Sequence, residues 1–329
     1  MKALVTGGGG FVGSRIARML VERGDDVTVL ARRDTPALLA TGARVARGDL
    51  RDPTALTAAV TGQDVVFHVA SKTGYWGDPA EFVETNVEGT RRLLDAARRA
   101  GVGRFAYTST PSVIGYGHDA DGITDAPYPS TFESAYAETK AAAEQLVLAA
   151  HGASFATVSL RPHLVIGPGD NHLLPRVIAR ARAGRLRIVG DGDNRVDLTY
   201  VDNAAGAHLD AVDALPGPAG GRAFFISNDE PVALWPWTNG VLRAVGAPEV
   251  TRKVSLSTAK ALGAVLESAW RWLPLPGEPP MTRFLALALA RSHWYDMGPA
   301  REAFGYRVRV GLADGTERTV AWLRSSSTG

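Results

Sequence analysis

Met1-Lys2-Ala3-Leu4-Val5-Thr6-Gly7-Gly8-Gly9-Gly10-Phe11-Val12-Gly13 opens the chain, and the reading of the remainder turns on it. A short apolar run passes directly into G-x-x-G-x-x-G at positions 7, 10 and 13. Helical periodicity follows, with Val12, Ile16, Met19 and Leu20 on one side. Strand, glycine turn and helix in that order carry a physical meaning. Glycine allows positive φ in the turn, and the missing side chain lets backbone N–H groups touch a phosphate. The helix N-terminus adds free donors and a positive dipole. A glycine-rich loop alone is a weak signal. Between a first strand and a first helix it predicts a dinucleotide site, with Gly7, Gly10, Phe11, Val12 and Gly13 around the pyrophosphate.

Outward from this turn, apolar runs and helical patterns alternate. Strands are expected at residues 26–32, 43–47, 65–70, 104–109, 157–161 and 224–227, and helices at 11–23, 79–99 and 136–150. Such alternation predicts an α/β fold, a doubly wound parallel Rossmann-type sheet with right-handed crossovers. The texture changes after Pro162. Loops rich in Gly, Pro and Asp occur at 167–170, 190–194 and 216–221, and the last hundred residues hold Trp235, Trp237, Trp270, Trp272, Trp294 and Trp322. We therefore expect a nucleotide-binding domain over 1–166, with returns from about 196–228. A smaller C-terminal substrate-binding cap is expected from 167–195 and 229–329. Residues 274–280 read as a loop and 325–329 as a loose tail.

Composition excludes several classes of function. Of 329 residues, 45% are hydrophobic and 21% charged, so the chain is neither disordered nor fibrous. Lys+Arg is 36 against 34 Asp+Glu, with no long basic run, so nucleic acid is not an expected partner. The absence of cysteine removes disulfides, thiolate catalysis and Cys-based metal sites. The seven histidines (68, 118, 151, 163, 172, 208, 293) form no H-x-x-x-H pair, so no metal is expected. No G-x-S-x-G elbow supports serine hydrolysis. No apolar stretch long enough for a signal peptide precedes the glycines, and none reaches the ~18 residues of a membrane span. A cytoplasmic location is expected.

The second strand ends in Ala31-Arg32-Arg33, where an NAD site normally presents an acid to the ribose hydroxyls. A guanidinium forks onto a 2′-phosphate, so NADP(H) is expected with Arg32 as its reader. NAD(H) is the alternative, with Asp34 as the missing acid. Asp49 and Leu50, after the third strand, are placed to hold the adenine, although the acid has an equal reading as a helix cap. Tyr136 and Lys140 lie four apart and share a helix face. A tyrosine becomes an acid–base group near neutral pH only if its pKa of ~10 falls by ~3 units, which takes about 4 kcal/mol. A nearby ammonium favours the phenolate. Tyr107-Thr108-Ser109-Thr110-Pro111-Ser112 ends another strand in hydroxyls suited to a substrate oxygen. A turn built of Ser and Thr is the plainer alternative.

Together these elements resemble the extended short-chain dehydrogenase/reductases. The likeness extends through residues 64–70, Asn86-Val87-Glu88-Gly89-Thr90, Leu160-Arg161-Pro162 and Tyr200-Val201-Asp202-Asn203. Within that superfamily the chain is similar to the 3β-hydroxysteroid dehydrogenase branch. On residues 107–113, 277–284 and His293-Trp294-Tyr295 it resembles the 2-alkyl-3-oxoalkanoate reductases of bacterial olefin and β-lactone biosynthesis. The resemblance implies Thr110, Tyr136 and Lys140 as catalytic residues, with Ser109 or Ser112 as fallback hydroxyls. Tyr136 would give a proton to the ketone oxygen, and Lys140 would hold the nicotinamide ribose and lower the Tyr136 pKa. Asn86 is implied as a supporting residue, Val69, Ala70 and Ser71 as the cofactor lining, and Pro162 as a neighbour of the nicotinamide. The implied reaction is NADPH-dependent reduction of the 3-keto group of a 2-alkyl-3-oxoalkanoate. A 3β-hydroxysteroid dehydrogenase-like oxidoreductase and a nucleotide-sugar epimerase or dehydratase are the alternatives. For the last, Arg176 and Arg195 would be recruited to a diphosphate.

Such a hydrophobic ketoacid calls for an apolar, elongated site. Trp76, Ser112 and His163 are the candidate substrate contacts, His163 having an alternative as a packing residue. The amphipathic stretch 259–273 and the apolar 284–290 read as cap core, or as a lid over acyl chains or a docking face. The family resemblance also implies a complex with thiolase-like and hydrolase enzymes, and allows a homodimer.

Overall fold

A computed structural model describes residues 1–34, 38, 42–273 and 275–326. Pro274 of the expected loop and the last three residues of the tail lie outside the described residues.

Seven parallel strands form the central sheet: β1 (Lys2–Thr6), β2 (Asp26–Ala31), β3 (Arg44–Arg47), β4 (Val65–His68), β5 (Arg104–Thr108), β6 (Ala156–Pro162) and β7 (Ala223–Ile226). Their order is β7-β6-β5-β4-β1-β2-β3. The winding reverses between β1 and β4, and ligands of open parallel sheets bind outside the strand ends at such a point. The expected doubly wound sheet is therefore present, with strand ends one or two residues from those expected. Strand-end registers align Thr6 with Leu30 and His68, and His68 with Tyr107.

Alternation along each strand divides the core between the two faces. Ala3, Val5, Phe67 and Val158 pack with helix α1 (Phe11–Glu22) on one side. Leu4, Val66, Phe105 and Tyr107 pack with α2 (Gly89–Arg99) and α3 (Ala135–Ala149) on the other. Helix α4 (Val201–Asp213) lies against α1, and β7 closes one edge of the sheet. The expected helix over 79–99 is continuous, but Val83–Glu88 forms a π turn.

The remaining elements build a second apolar cluster around Ile178, Val196, Trp235, Leu242 and Val320. A mixed four-stranded sheet ties Ala120–Ile123 to His293–Tyr295, Arg195–Val196 and Val232–Ala233. The tryptophans divide. Trp235 is core, Trp237 and Trp322 are partly buried against it, and Trp272, at the end of α5 (Leu256–Trp272), is exposed. The core reading of 284–290 holds for Phe284, Ala286 and Leu287; in α5 only Ala259, Gly263 and Glu267 are buried.

Candidate functional site

The glycine turn is closely packed, for reasons visible atom by atom. Gly7 has φ +69°, and a Cβ there would sit 2.7 Å from the Ala70 nitrogen. A Cβ on Gly13 would sit 2.3 Å from the Gly7 carbonyl oxygen. The turn is thus pressed against the loop after β4, and α1 against the turn. Gly10 caps α1 without any side-chain hydrogen bond, which leaves the first helical N–H groups aimed outward. A cradle that a Cβ would fill, at an uncapped helix N-terminus, fits a pyrophosphate.

From this turn a cleft of about 970 Å³ crosses the strand ends. Every residue expected at the nucleotide lines it: Gly7, Gly10, Phe11, Val12, Gly13, Arg32, Asp49, Leu50, Val69, Ala70, Ser71, Lys140 and Pro162. Arg33 and Arg51 line it too. Asp34 forms an ion pair with Arg47. Asp49 takes both Nε and Nη2 of Arg51 at 3.0 Å, and that pairing holds its carboxyl below the usual range.

Helix α3 starts at Ser134, whose Oγ accepts the Ala137 N–H at 3.2 Å. The cap fixes the first turn and with it Tyr136. One helical turn on, Lys140 is fully buried; its Nζ donates to the Thr108 carbonyl at 2.5 Å and lies 4.1 Å from the Tyr107 ring centroid. Burial lowers its pKa to about 7, against an opposing pull from Glu144. The resemblance implies that Lys140 lowers the Tyr136 pKa. Burial pushes the phenol up, Tyr75 adds to this, and only the hydrogen bond with Thr110 opposes it. The ammonium is turned to the Thr108 carbonyl and is itself weakened by desolvation.

Thr110 begins a 3₁₀ turn. Its Oγ1 accepts the Ser112 N–H at 3.3 Å and lies 3.2 Å from the Ser112 hydroxyl. Ser112 is buried beneath it and does not line the cleft, so it supports Thr110 from behind. His163 is not brought to the cleft either. Its Nδ1 meets Asp197 at 2.5 Å and its Nε2 meets His293 at 3.0 Å. The Ala288 carbonyl, 2.8 Å from His293 Nε2, takes the His293 proton. His293 Nδ1 therefore accepts from His163, and both His163 nitrogens are used internally. Trp76 lines a second cavity of about 390 Å³, with Tyr75, Phe82, Trp270, Arg271 and Arg283. Tyr136 is the one described residue that lines both this cavity and the long cleft.

Several further residues position the site; of these the resemblance already implies Asn86. Thr6 Oγ1 accepts the N–H groups of Val69 and Ala70, each at 3.2 Å, and bonds His68 Nδ1 at 2.8 Å. Buried Glu144 takes Arg161 Nη2 at 2.7 Å, the Ser159 hydroxyl at 2.7 Å and the Tyr128 hydroxyl at 2.8 Å. Asn86, in the π turn, binds both backbone groups of Lys72 and donates to Thr139 of α3 at 3.1 Å. A Glu at i+8 from the tyrosine was the available hint for Glu144; nothing in the chain order links Thr6 to residues 69 and 70.

Comparison with known proteins agrees with this geometry. The profile of the 3-beta hydroxysteroid dehydrogenase/isomerase family matches residues 4–256. The chain is 51% identical over 326 residues to 2-alkyl-3-oxoalkanoate reductase of Stenotrophomonas maltophilia, covering 98% of this chain and 99% of that protein. It is 34% identical to sterol-4-alpha-carboxylate 3-dehydrogenase, decarboxylating, of Mus musculus, over 97% of this chain and 90% of the other. Among solved structures, MoeE5 in complex with UDP-glucose and NAD superposes with a TM-score of 0.77 at 28% identity, covering 99% and 100% of the two chains.

Proposed function

The chain belongs to the 3-beta hydroxysteroid dehydrogenase/isomerase family of NAD(P)-dependent oxidoreductases, and from that premise we propose that it reduces the 3-keto group of a 2-alkyl-3-oxoalkanoate with NADPH. The observation that carries the reading is the position of Tyr136 on the wall shared by the two cavities. A group there faces a nucleotide on one side and a substrate on the other.

The glycine turn and the N-terminus of α1 take the pyrophosphate. Arg32, with Arg33 and Arg51 beside it on the rim, takes the 2′-phosphate; Asp34, held by Arg47, is not free to receive ribose hydroxyls. Lys140 donates to the nicotinamide ribose. When bound, the nicotinamide supplies the hydride. Tyr136 then gives its proton to the ketone oxygen as negative charge develops there, and Thr110 donates a second hydrogen bond to that oxygen. A phenol pushed up by burial is held protonated, which suits a proton donor in the reductive direction. The aromatic lining by Tyr75, Trp76, Phe82 and Trp270 suits alkyl tails.

A nucleotide-sugar reading is less well supported. Arg176 is held bidentately by Glu278 at 3.1 and 3.2 Å, and Arg195 donates to the Pro231 carbonyl at 3.0 Å, so both guanidinium groups are engaged. The test is NADPH oxidation with a panel of a 2-alkyl-3-oxoacid, a ketosteroid and a UDP-hexose. Turnover is expected with the oxoacid and should fall about 10²–10⁴-fold in Tyr136→Phe with the fold intact. Turnover only of the steroid or the sugar nucleotide, or an unchanged rate in the variant, overturns the reading.

A further inference from the structure

The smaller cavity carries two cations that the proposed chemistry does not use. Arg271, from α5, and Arg283, the first residue of helix α6 (Arg283–Ala290), line it together with Tyr136. Arg283 is seated on α5. Gly263 lets the two helices meet there, since a Cβ on it would sit 2.7 Å from the Arg283 backbone nitrogen. One turn further along α5, buried Glu267 accepts the Arg283 backbone N–H at 2.7 Å and its Nε at 2.8 Å. The Nη1 and Nη2 groups of Arg283 make no hydrogen bond or ion pair among the described residues. A guanidinium fixed at Nε and open at Nη presents a planar fork that matches the two oxygens of a carboxylate.

The other charges of the lining give the cavity a polarity. Glu267 is taken up by Arg283, and Asp78 accepts the Ala80 N–H at 2.9 Å as a helix cap. Glu133 belongs to the α3 side of the lining, next to Ser134 and Tyr136, whereas Arg271 and Arg283 belong to the α5–α6 side. An anion is therefore drawn to the α5–α6 side and turned away from the α3 side. We propose that Arg283, steered by Glu267 and aided by Arg271, receives the carboxylate of the substrate and so selects acids over neutral ketones. The identity of the acid rests on the function proposed above; the anion seat does not. With the carboxylate held here and the ketone held at Tyr136 and Thr110, the molecule is fixed at two points, which sets the carbonyl face offered to the nicotinamide.

The test compares NADPH oxidation with a 2-alkyl-3-oxoacid and with its methyl ester. The parent protein should favour the acid about 10–100-fold in kcat/KM. Arg283→Met is combined with Glu267→Gln, so that no buried carboxylate is left unpaired while an amide oxygen still accepts the backbone N–H at 283. This double variant should raise KM for the acid about tenfold or more, with kcat within about threefold, and change the ester less than about twofold. Glu267→Gln alone loosens the guanidinium without removing it, and should raise KM for the acid about threefold while sparing kcat and the ester. Equal losses for acid and ester, or an acid preference that survives the double variant, overturns the proposal. Binding of decanoate and of decanol, followed by tryptophan fluorescence, reads the seat without turnover. Decanoate affinity should fall about tenfold in the double variant and decanol affinity should not. Decanoate binding that is absent from the parent protein, or indifferent to the double variant, also overturns the proposal. Decanoate binding that needs Arg283, together with no oxoacid turnover, would refute the proposed function and leave the anion seat standing.

Discussion

Tyr136 is placed by its neighbours. Ser134 caps the helix that carries it, Thr110 holds its hydroxyl, and Lys140 lies one turn below. Lys140, with a pKa near 7 in its buried place, keeps its proton at neutral pH only with help from Glu144. Removing that negative charge lowers the lysine pKa further, so the alkaline limb of the kcat/KM profile for reduction should move to lower pH. We expect this in Glu144→Gln combined with Arg161→Met, which spares the structure an unpaired buried guanidinium. A pH–rate profile superimposable on that of the parent protein would show that Glu144 acts only in folding. At the other end of the cleft, Arg32→Ala should raise KM for NADPH about 10–100-fold, from loss of charged hydrogen bonds of ~1.5–3 kcal/mol, and leave KM for NADH within about twofold. Equal effects on the two nucleotides would remove the claimed preference.

At the scale of elements, the sheet, the glycine turn and the Y-x-x-x-K helix were legible because each is local: a burial period, a steric requirement and a helical repeat. Gly13 shows how strict the requirement is. With its Cβ position 2.3 Å from the Gly7 carbonyl, Gly13→Ala has to push α1 off the turn. A loss of ~1–3 kcal/mol in stability and of measurable NADPH binding is expected, read by thermal unfolding and nucleotide fluorescence. Wild-type nucleotide affinity in that variant would mean the turn does not carry the pyrophosphate. The π turn at Val83–Glu88 was not legible, since an extra residue in one turn leaves the apolar repeat on either side intact. It places Asn86 between Lys72 and Thr139, joining the loop after β4 to α3.

Across the whole molecule, His68, His208 and His293 are held neutral by burial, with pKa values lowered to about 3, 4 and 3. Unfolded, each titrates near 6.5, so the unfolded chain binds more protons once pH drops below that value. Stability is then present above about 6.5 and is lost as pH falls toward 4, at up to ~1.4 kcal/mol per pH unit for each histidine. Thermal unfolding followed from pH 7 to 5 should show this slope, and His208→Gln should flatten it by about a third. An unchanged slope would place the acid sensitivity elsewhere.

By itself the sequence determined the alternation of strand and helix, the glycine turn and the spacing of phenol and amine, because period, glycine and helical spacing are written within a few residues. Only the tertiary structure decided that His163 pairs with Asp197 and His293 rather than facing the cleft, and that Lys140 turns to Thr108 and leaves Tyr136 above its ordinary pKa. It alone showed that Glu267 of α5 holds Arg283 at the wall of the smaller cavity. Each of these depends on which distant segments meet, and so on a desolvation and a geometry that no local spacing encodes.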